Sequence, residues 1–399
     1  MESFNLNFHD AYMDGEYIYF SSLDFNGLFR LKRGEKYAEW LGQFPGEEAW
    51  SKGLHYKIVE YNRKLFFTPF FGHGIHIYDL EKKNFKFYSL HDKNIFSFSN
   101  AVESDGKIFL IPLNMHTPFM IYDINNESVR ANVDFWLYIR KRFHLTEKHF
   151  IGGFGCVLVN QKIYITIVGL SIVICYDIQS GKICLKKIGF TPRGIHYFDG
   201  LFYFTVVNSY KIVIYDEKKD IAREVISEFE NEEECPVLSI LKYSDKLFLM
   251  PGGYHTEVME ISFLGEDVEV KSFPLMGVKF SVRYLNLYMN YLQEGSEILF
   301  LPKDGNGVLV FDLNQKTMKL YKVECDPLYA EQCYVLSKCE GAIQIEEKMG
   351  LKMYLKLFKY DLGRVYHNAG NENIGQKIFK MCKGEEHESY SDQCANRYR

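Results

Sequence analysis

Residues 99–133 read SNAVESDGKIFLIPLNMHTPFMIYDINNESVRANV. Three breaks divide this stretch: Asp105-Gly106, Pro112 and Asn125-Asn126. An Asp-Gly pair before a β-rich run indicates a hairpin, and proline closes a strand because it lacks the N–H that a ladder needs. The stretch therefore predicts four antiparallel strands, at 99–104, 107–111, 119–124 and 128–133.

A Tyr-Asp or Phe-Asp pair after a short apolar run recurs along the chain. The copies are Tyr78-Asp79, Tyr122-Asp123, Tyr176-Asp177, Tyr215-Asp216 and Phe311-Asp312. They lie 44, 54, 39 and 96 residues apart, and the last gap spans two units with a divergent copy at 258–261. A period of about 40–50 residues is typical of propeller blades. We expect the aromatic residue to pack between blades and the Asp to end its strand at a turn.

Polar turn pairs keep the same phase, and each precedes an apolar run. The pairs are Asp14-Gly15, Asn62-Arg63, Asp105-Gly106, Asn160-Gln161, Asp199-Gly200, Ser244-Asp245 and Gly295-Ser296. Four of the runs that follow end at a proline: Pro69, Pro112, Pro251 and Pro302. Together the markers predict an all-β fold, a seven-bladed β-propeller of four-stranded antiparallel blades, whose radial closure protects the strand edges.

The pattern changes beyond the seventh unit. A hairpin at 339–341 would make eight blades, but apolar residues at 351, 354, 355, 358 and 362 follow helical spacing. We therefore expect the propeller over 1–346, and over 347–399 a C-terminal helix and polar tail that pack on the propeller or trail from it.

Composition narrows the partners and the compartment. The formal net charge of −5 disfavours nucleic acid, and 16% aromatic residues can fill a large core. The first residues do not resemble a secretory leader, and no apolar stretch approaches the length of a membrane span. Nine cysteines with no Cys-x-x-Cys pair favour a reducing cytoplasm.

The repeat unit resembles the blades of kelch- and YVTN-like seven-bladed propellers over roughly residues 5–345. Kelch blades carry a paired glycine, whereas Gly152-Gly153 and Gly252-Gly253 fall out of phase, and the Trp-Asp dipeptide of WD40 repeats does not occur. The run at 373–378 is similar to one in bacterial propellers. The resemblance implies an architecture and names neither ligand nor reaction.

In such a fold, the loops between second and third strands and the segments between blades open on one face, around the central channel. We expect their side chains to be exposed, because these loops are not needed for blade pairing. The candidate binding residues are Asn26, Trp50, Asn114, Asn208, Tyr254, Arg283 and Asn306. Such a polar, aromatic ring suits a carbohydrate or a peptide.

Three histidines recur at one phase of this face: His73, His116 and His255. Imidazole binds zinc and similar divalent metals, and three histidines leave a coordination position open. The set predicts a single divalent metal or, if the recurrence is accidental, no cofactor.

Arg193 and His196 form a second constellation. An arginine can hold a carboxylate while a nearby histidine acts as general base, so we consider them candidate catalytic residues. The same stretch is also a loop that enters an inner strand.

The longest insertion between blades spans 133–148 and combines aromatic and basic residues. It is either a lid or docking element for an acidic protein partner, or an amphipathic helix whose aromatics pack on the blades.

The sequence contains no nucleophile elbow, phosphate loop or complete metal motif. This favours a ligand-binding or interaction propeller. The alternative is an enzyme of the channel mouth, a lyase, epimerase or hydrolase acting on a uronate-like or peptide substrate. The sequence leaves open whether the protein is an enzyme.

Overall fold

The computed structural model describes residues 5–90, 96–132, 134–145, 151–207, 209–225, 237–252, 257–264, 267–277, 288–303 and 305–338. Within these ranges, seven four-stranded antiparallel sheets form a ring, which confirms the predicted seven-bladed propeller. Each sheet is a meander in which consecutive strands pair. First strands of neighbouring blades contact one another, so they surround the centre of the ring.

The 28 blade strands follow chain order, four to a blade. Blades 1 to 3 contain β1 Ala11–Asp14, β2 Tyr17–Ser21, β3 Leu28–Lys32, β4 Tyr37–Gly42; β5 His55–Tyr61, β6 Lys64–Pro69, β7 Gly74–Asp79, β8 Asn84–Ser89; β9 Phe98–Ser104, β10 Lys107–Pro112, β11 Phe119–Asp123, β12 Ser128–Asn132. Helix α1 (Asp134–Phe143) follows. Blades 4 to 7 contain β13 Gly152–Val159, β14 Lys162–Val168, β15 Ile172–Asp177, β16 Ile183–Lys187; β17 Pro192–Phe198, β18 Leu201–Val206, β19 Ile212–Asp216, β20 Ile221–Val225; β21 Val237–Tyr243, β22 Lys246–Pro251, β23 Glu257–Leu264, β24 Asp267–Pro274; β25 Tyr288–Glu294, β26 Glu297–Pro302, β27 Val308–Asp312, β28 Thr317–Tyr321.

The predicted turn pairs form the hairpins between first and second strands. The leading turn residue has a positive φ in each blade: Gly15, Asn62, Asp105, Asn160, Asp199, Ser244 and Gly295. Positive φ at this position is what the primed hairpin turns require. In blade 1 the turn is Gly15-Glu16, one residue later than predicted.

The recurrent aromatic-Asp pairs are structural, as expected. Their aromatic rings are buried, and their carboxylates accept backbone N–H bonds from the turn that follows. Asp79, for example, accepts from Lys82 at 2.8 Å, and this bond lowers the pKa of its carboxyl group. The pair therefore anchors the third strand and starts the turn to the fourth.

The core is divided among the seams between blades. Among the described residues, one apolar cluster lies at each of the seven seams. At the seam between blades 7 and 1, the cluster joins Phe8 and Phe29 to Leu299. The propeller is thus held together by side chains that pack between sheets.

Both ends of the described chain help to close the ring. The backbone N–H of Leu6 donates to Val323, and that of Phe8 donates to Pro302 of blade 7. Strand β29 (Glu324–Cys325) then pairs in parallel with β4, as a fifth strand on blade 1.

Helix α2 (Ala330–Lys338) follows β29 and lies inside the range predicted to be all propeller. Ser337 on α2 accepts a hydrogen bond from Lys52 at 2.8 Å through its carbonyl. The helix predicted at 351–362 lies outside the described residues. Within the described ranges, no helix is long and apolar enough to cross a membrane.

Candidate functional site

The first strands carry a repeated irregularity where they enter the channel face. In blades 2 to 7 of the described chain, their pairing with the second strand shifts register near this end. The residues skipped by the pairing are Tyr56, Ser99, Phe154 and Gly155, Arg193 and Gly194, Leu238, and Met289. Bulges redirect side chains and release backbone groups from the ladder, so they shape the channel mouth.

Threonine hydroxyls accept some of the released N–H groups. Thr166 accepts from Gly155 at 2.8 Å, and Thr205 accepts from Gly194 at 2.8 Å. Thr166 also donates to the Arg193 carbonyl at 2.6 Å, which connects blades 4 and 5. These threonines occupy equivalent positions in their second strands, so blades 4 and 5 satisfy the N–H groups of their bulges in the same way.

His196 lies in this backbone network. Its Nε2 accepts the backbone N–H of Ile240 in blade 6 at 3.2 Å and lies 3.1 Å from Ser239 Oγ. Because an N–H donates to Nε2, the proton of the neutral ring is on Nδ1. Burial lowers the pKa of His196 to about 4. The imidazole is therefore neutral near pH 7 and joins blade 5 to blade 6.

Arg193 is fully buried, so the expectation that it is exposed on a loop is wrong. It belongs to the bulge of β17, and its guanidinium carbon lies 5.3 Å from the centre of the Phe154 ring. The bulge turns this side chain toward the neighbouring blade. Arg193 and His196 thus lie on one strand, and the Nε2 of His196 is occupied by blade 6.

An aromatic cluster occupies part of the mouth. Phe70 and Phe71 pack with Leu113, against Tyr56 and Phe154. The His9 ring meets Tyr56 edge-on at 5.0 Å and Phe70 at 5.2 Å. Burial, followed by the charge of Lys303, holds the pKa of His9 well below its usual value.

The best-defined surface at the mouth is the 43–54 loop, which joins β4 to β5. Asn26 donates through Nδ2 to the carbonyls of Phe44 at 2.9 Å and Glu47 at 3.2 Å. Its Oδ1 accepts the N–H of Phe44 at 2.8 Å. Asn26 is fully buried, so the expectation that its side chain is exposed is wrong. All three bonds fix the conformation of the loop.

The loop also holds His73 in place. One oxygen of the Glu47 carboxylate accepts the His73 backbone N–H at 2.6 Å, and the other lies 2.9 Å from His73 Nδ1. The Glu47 side chain is 1% exposed, whereas that of His73 is 50% exposed. A carboxylate on Nδ1 fixes the ring orientation and places the proton there, so Nε2 is free to accept. Trp50, on the same loop, is 48% exposed.

Beneath the loop, a chain of hydrogen bonds runs through two buried histidines. His76 Nε2 lies 2.9 Å from the Pro45 carbonyl, which can only accept, so Nε2 carries the proton and Nδ1 accepts. His55 Nε2 then donates to His76 Nδ1 at 2.8 Å, and Ser21 Oγ donates to His55 Nδ1 at 2.8 Å. The sequence analysis did not predict this series of hydrogen bonds.

The remaining predicted residues are less closely grouped. Asn114 accepts the N–H groups of His116 and Thr117, so it supports a turn on whose tip His116 is exposed. Asn306 donates to the Gly277 carbonyl at 3.3 Å. Four of the predicted residues lie outside the described residues: Asn208, Tyr254, His255 and Arg283.

The metal prediction therefore stays a prediction. In the described ranges, no three or more His, Cys, Asp or Glu side chains come together as a metal site. His73 and His116 belong to different blades, and the third predicted ligand is outside these ranges.

The 133–148 insertion contains α1, which agrees with the packing alternative. Phe135, Trp136 and Ile139 are buried in the seam between blades 3 and 4, and Trp136 Nε1 donates to the Thr117 carbonyl at 2.7 Å. The basic residues lie in the last turn, where they complement the helix dipole. Docking of a partner on the exposed side of α1 stays a prediction.

No protein-family model and no curated protein matches the chain. Solved structures share its fold. A putative 6-phosphogluconolactonase from Bacteroides fragilis aligns with TM-score 0.51 and 10% identity over 81% of this chain and 96% of its own. A chain of the mitotic checkpoint complex gives 0.51 and 8% over 81% and 94%.

PorZ, a surface component of the type-IX secretion system of Porphyromonas gingivalis, gives TM-score 0.52 and 9% identity over 80% of this chain. The chain spans 38% of the PorZ chain. The named functions of these proteins differ from one another, so the likeness extends to the propeller fold alone.

Proposed function

We propose that the protein is a ligand-binding propeller that recognises a carbohydrate at the channel mouth, through the 43–54 loop and His73. The observation that carries the proposal is a half-exposed indole, Trp50, on a loop whose neighbouring residues are fixed by buried polar contacts. Tryptophan is enriched among the residues that carry binding energy, because its indole face is a large, rigid contact surface with a polar edge.

The rigidity of the loop supports this role. Asn26 makes three hydrogen bonds to the loop, and Glu47 makes two to His73. Phe44 packs its ring within 4.4 Å of His55, measured between ring centres. A loop that is ordered before binding loses little conformational entropy on binding.

The polar groups of the 43–54 loop and of His73 fit a sugar. The Nε2 of His73 accepts a hydroxyl proton while Glu47 holds the ring, and the exposed Glu48 adds a second acceptor. A sugar ring has an apolar face for the indole and hydroxyls for these acceptors. Because the Glu47 carboxylate is already paired, recognition does not require a charged ligand. A peptide is the competing ligand class.

Titration with neutral oligosaccharides and with uncharged peptides, followed by isothermal titration calorimetry, tests the proposal. This readout does not depend on the indole that the variant removes. We expect Trp50→Ala to weaken sugar binding by at least about tenfold. Tyr37→Ala is the matched control, since Tyr37 is similarly exposed on β4. Saturable binding of peptides but not sugars would contradict the ligand class.

The Glu47–His73 pair supports a second candidate, an enzyme of the lyase, epimerase or hydrolase type. A histidine held by a carboxylate, with Nε2 outward, is arranged as a general base for a uronate-like or peptide substrate. His73→Gln and Glu47→Gln are then expected to abolish turnover while binding persists. Metal analysis of protein purified without a histidine tag tests whether a divalent metal takes part. We also propose a cytoplasmic location, because the chain has an odd number of cysteines, nine, which does not suggest a set of disulfides.

A further inference from the structure

The seam between blades 4 and 5 contains an open groove of about 410 Å³. Its lining comes from the second to fourth strands of blade 4 and from the facing strands of blade 5. The lining residues are Lys162, Tyr164, Val173, Cys175, Cys184, Leu185, Lys186, Ile188, Phe202, Phe204, Tyr215 and Glu217. The connector between these blades, 188–191, has four residues, of which Ile188 and Phe190 pack against the apolar cluster of the seam.

Two cysteines stand side by side in this groove. Cys175 on β15 pairs directly with Cys184 on β16, so both side chains lie on the same face of the sheet. Cys184 is exposed and Cys175 is half-buried. Burial raises the pKa of the Cys175 thiol, so this thiol is protonated near pH 7. Cys184 is therefore the thiol that a reagent entering the groove meets first.

Charged and aromatic side chains surround the pair. Lys186 lies two residues after Cys184 on the same strand face, with its ammonium nitrogen 4.1 Å from the centre of the Tyr215 ring. Lys162 lies on the other side of Cys175, two residues before Tyr164. Glu217 is a carboxylate of the lining, and it accepts a hydrogen bond from Tyr164 at 3.0 Å. Lys186 also pairs with Asp220, whose carboxylate oxygen lies 3.2 Å from the ammonium nitrogen and whose side chain is 80% exposed. The lining itself has two lysines and one carboxylate, and this excess of positive charge suits an anionic ligand of small-peptide size.

We propose that Cys184 is a thiol-modification site at which an anionic low-molecular-weight disulfide, such as glutathione disulfide, leaves its thiol peptide bound in the groove. The Cys184 thiolate attacks one sulfur of the disulfide. A bond forms between Cys184 Sγ and that sulfur while the reagent's S–S bond breaks. The second glutathione leaves as a thiolate and takes up the proton that Cys184 lost. The cysteine is oxidised, and the reagent is reduced.

The mixed disulfide is the product that persists. Its resolution needs Cys175 as a thiolate, which the raised pKa of this group opposes. Residues directly opposite in antiparallel strands have Cβ atoms about 4.5–5.5 Å apart, whereas a disulfide needs about 3.5–4.5 Å. Closure of a Cys175–Cys184 disulfide therefore requires the strands to approach.

The test treats the fully reduced protein with glutathione disulfide, which is anionic, or with cystamine, which is cationic, and maps the adducts by peptide mass. The rate of adduct formation with each reagent is divided by the rate of the same reagent with the urea-unfolded chain, which corrects for the intrinsic reactivity of the reagent. Among the five cysteines that the structure describes, we expect the glutathionyl group on Cys184, with a preference of roughly tenfold for the anionic reagent in the folded protein. The double variant Lys162→Gln/Lys186→Gln is expected to lose this preference. Lys187→Gln is the control, because Lys187 is adjacent on β16 but does not line the groove.

Cysteine variants check the chemistry. Cys184→Ser is expected to remove the adduct, and Cys175→Ser is expected to retain it. Cys156, whose pKa burial raises to about 12, serves as an internal residue that stays unmodified. Equal relative rates with both reagents in the native protein would overturn the proposal. So would conversion of the adduct to a Cys175–Cys184 disulfide, because the groove would then not hold the thiol peptide.

Discussion

The seam between blades 1 and 2 and the seam between blades 4 and 5 occupy equivalent places in the ring, yet one is sealed and the other is open. At the first, the 43–54 connector inserts Phe44 between the sheets, where it packs on His55, Phe67 and Phe85. At the second, the connector 188–191 packs Ile188 and Phe190 against the seam, with Phe190 on Phe204, yet a groove of about 410 Å³ remains.

The two connectors fill their seams to different extents. Phe44 of the twelve-residue connector is fully buried, whereas Phe190 of the four-residue connector is only partly buried. The filled seam contains buried histidines with all their ring nitrogens bonded, and its outer surface presents Trp50 and His73. The open seam exposes Cys184. The two seams therefore differ in the residues that a ligand can meet.

The largest effect is expected where the connector seals its seam. Phe44→Ala would remove a fully buried ring that contacts four other rings, at a cost of about 3–5 kcal/mol of unfolding free energy. Leu185 lines the open groove. Leu185→Ala is expected to lower the unfolding free energy by about 1 kcal/mol or less, because the groove already leaves this side chain partly unpacked. Urea unfolding of both variants measures the two losses of unfolding free energy. Equal costs would mean that the seams do not differ in packing.

Asn26→Ala is expected to follow, at about 2–3 kcal/mol. The change would leave the backbone N–H and carbonyl of Phe44 and the carbonyl of Glu47 without their side-chain partner in a buried place. Asn126→Ala is the control, since Asn126 lies on an exposed turn and is expected to change stability by about 0.5 kcal/mol or less. Chemical denaturation measures the unfolding free energy of both variants. A neutral Asn26 variant would restore this residue as a candidate ligand contact.

Much of the fold could be predicted from the sequence because its markers act locally. The Asp105-Gly106 turn, the strand end at Pro112 and the Tyr122-Asp123 pair each depend on backbone geometry within a few residues, and all are found as predicted. The start of β9 differs by one residue, Phe98 in place of Ser99. Residue type determines local hydrogen bonding and φ preferences directly.

The candidate site was predicted less well, because burial of a polar residue depends on distant neighbours. Asn26 and Arg193 are polar residues near loops, but the 43–54 loop covers the first and the β17 bulge turns the second inward. The bulges do not produce a recognisable change in the hydrophobic periodicity of the sequence, so they were not predicted. His73 could be placed on the channel face from its phase, but its hydrogen bonds to Glu47 depend on how a twelve-residue connector folds.

The sealed seam is also expected to lose stability in acid. Burial lowers the pKa of His76 to about 4, whereas an unfolded histidine titrates near 6.5. Below pH 6.5 the unfolded chain therefore binds a proton that the folded protein excludes. The stabilisation is complete above pH 6.5 and is lost as the pH falls toward 4, by about 2 kcal/mol at pH 5 for this group.

Comparison of urea midpoints at pH 7.5 and pH 5.0 measures this loss. His76→Gln keeps a donor and an acceptor but does not titrate, so its loss should be smaller than that of the wild type by about 2 kcal/mol. His196→Gln should reduce the loss by a similar amount, because burial also lowers the pKa of His196 to about 4. A His76→Gln variant with the wild-type pH dependence would show that this imidazole is not held neutral.

The smallest effect is expected when one hydrogen bond is removed at the open seam. Tyr164→Phe deletes the donor to Glu217, whose carboxylate is exposed and can bind water instead, so the cost should be about 0.5–1 kcal/mol. Ser21→Ala deletes one donor at the sealed seam, where His55 Nδ1 is buried and has no water to replace it, so the cost should reach about 1–3 kcal/mol. Each change removes one hydroxyl group and nothing else, so thermal and urea unfolding of the two variants compare the seams on equal chemical terms. If Tyr164→Phe proved as costly as Ser21→Ala, water would not reach the groove between blades 4 and 5, and a reagent the size of a thiol peptide could not enter it.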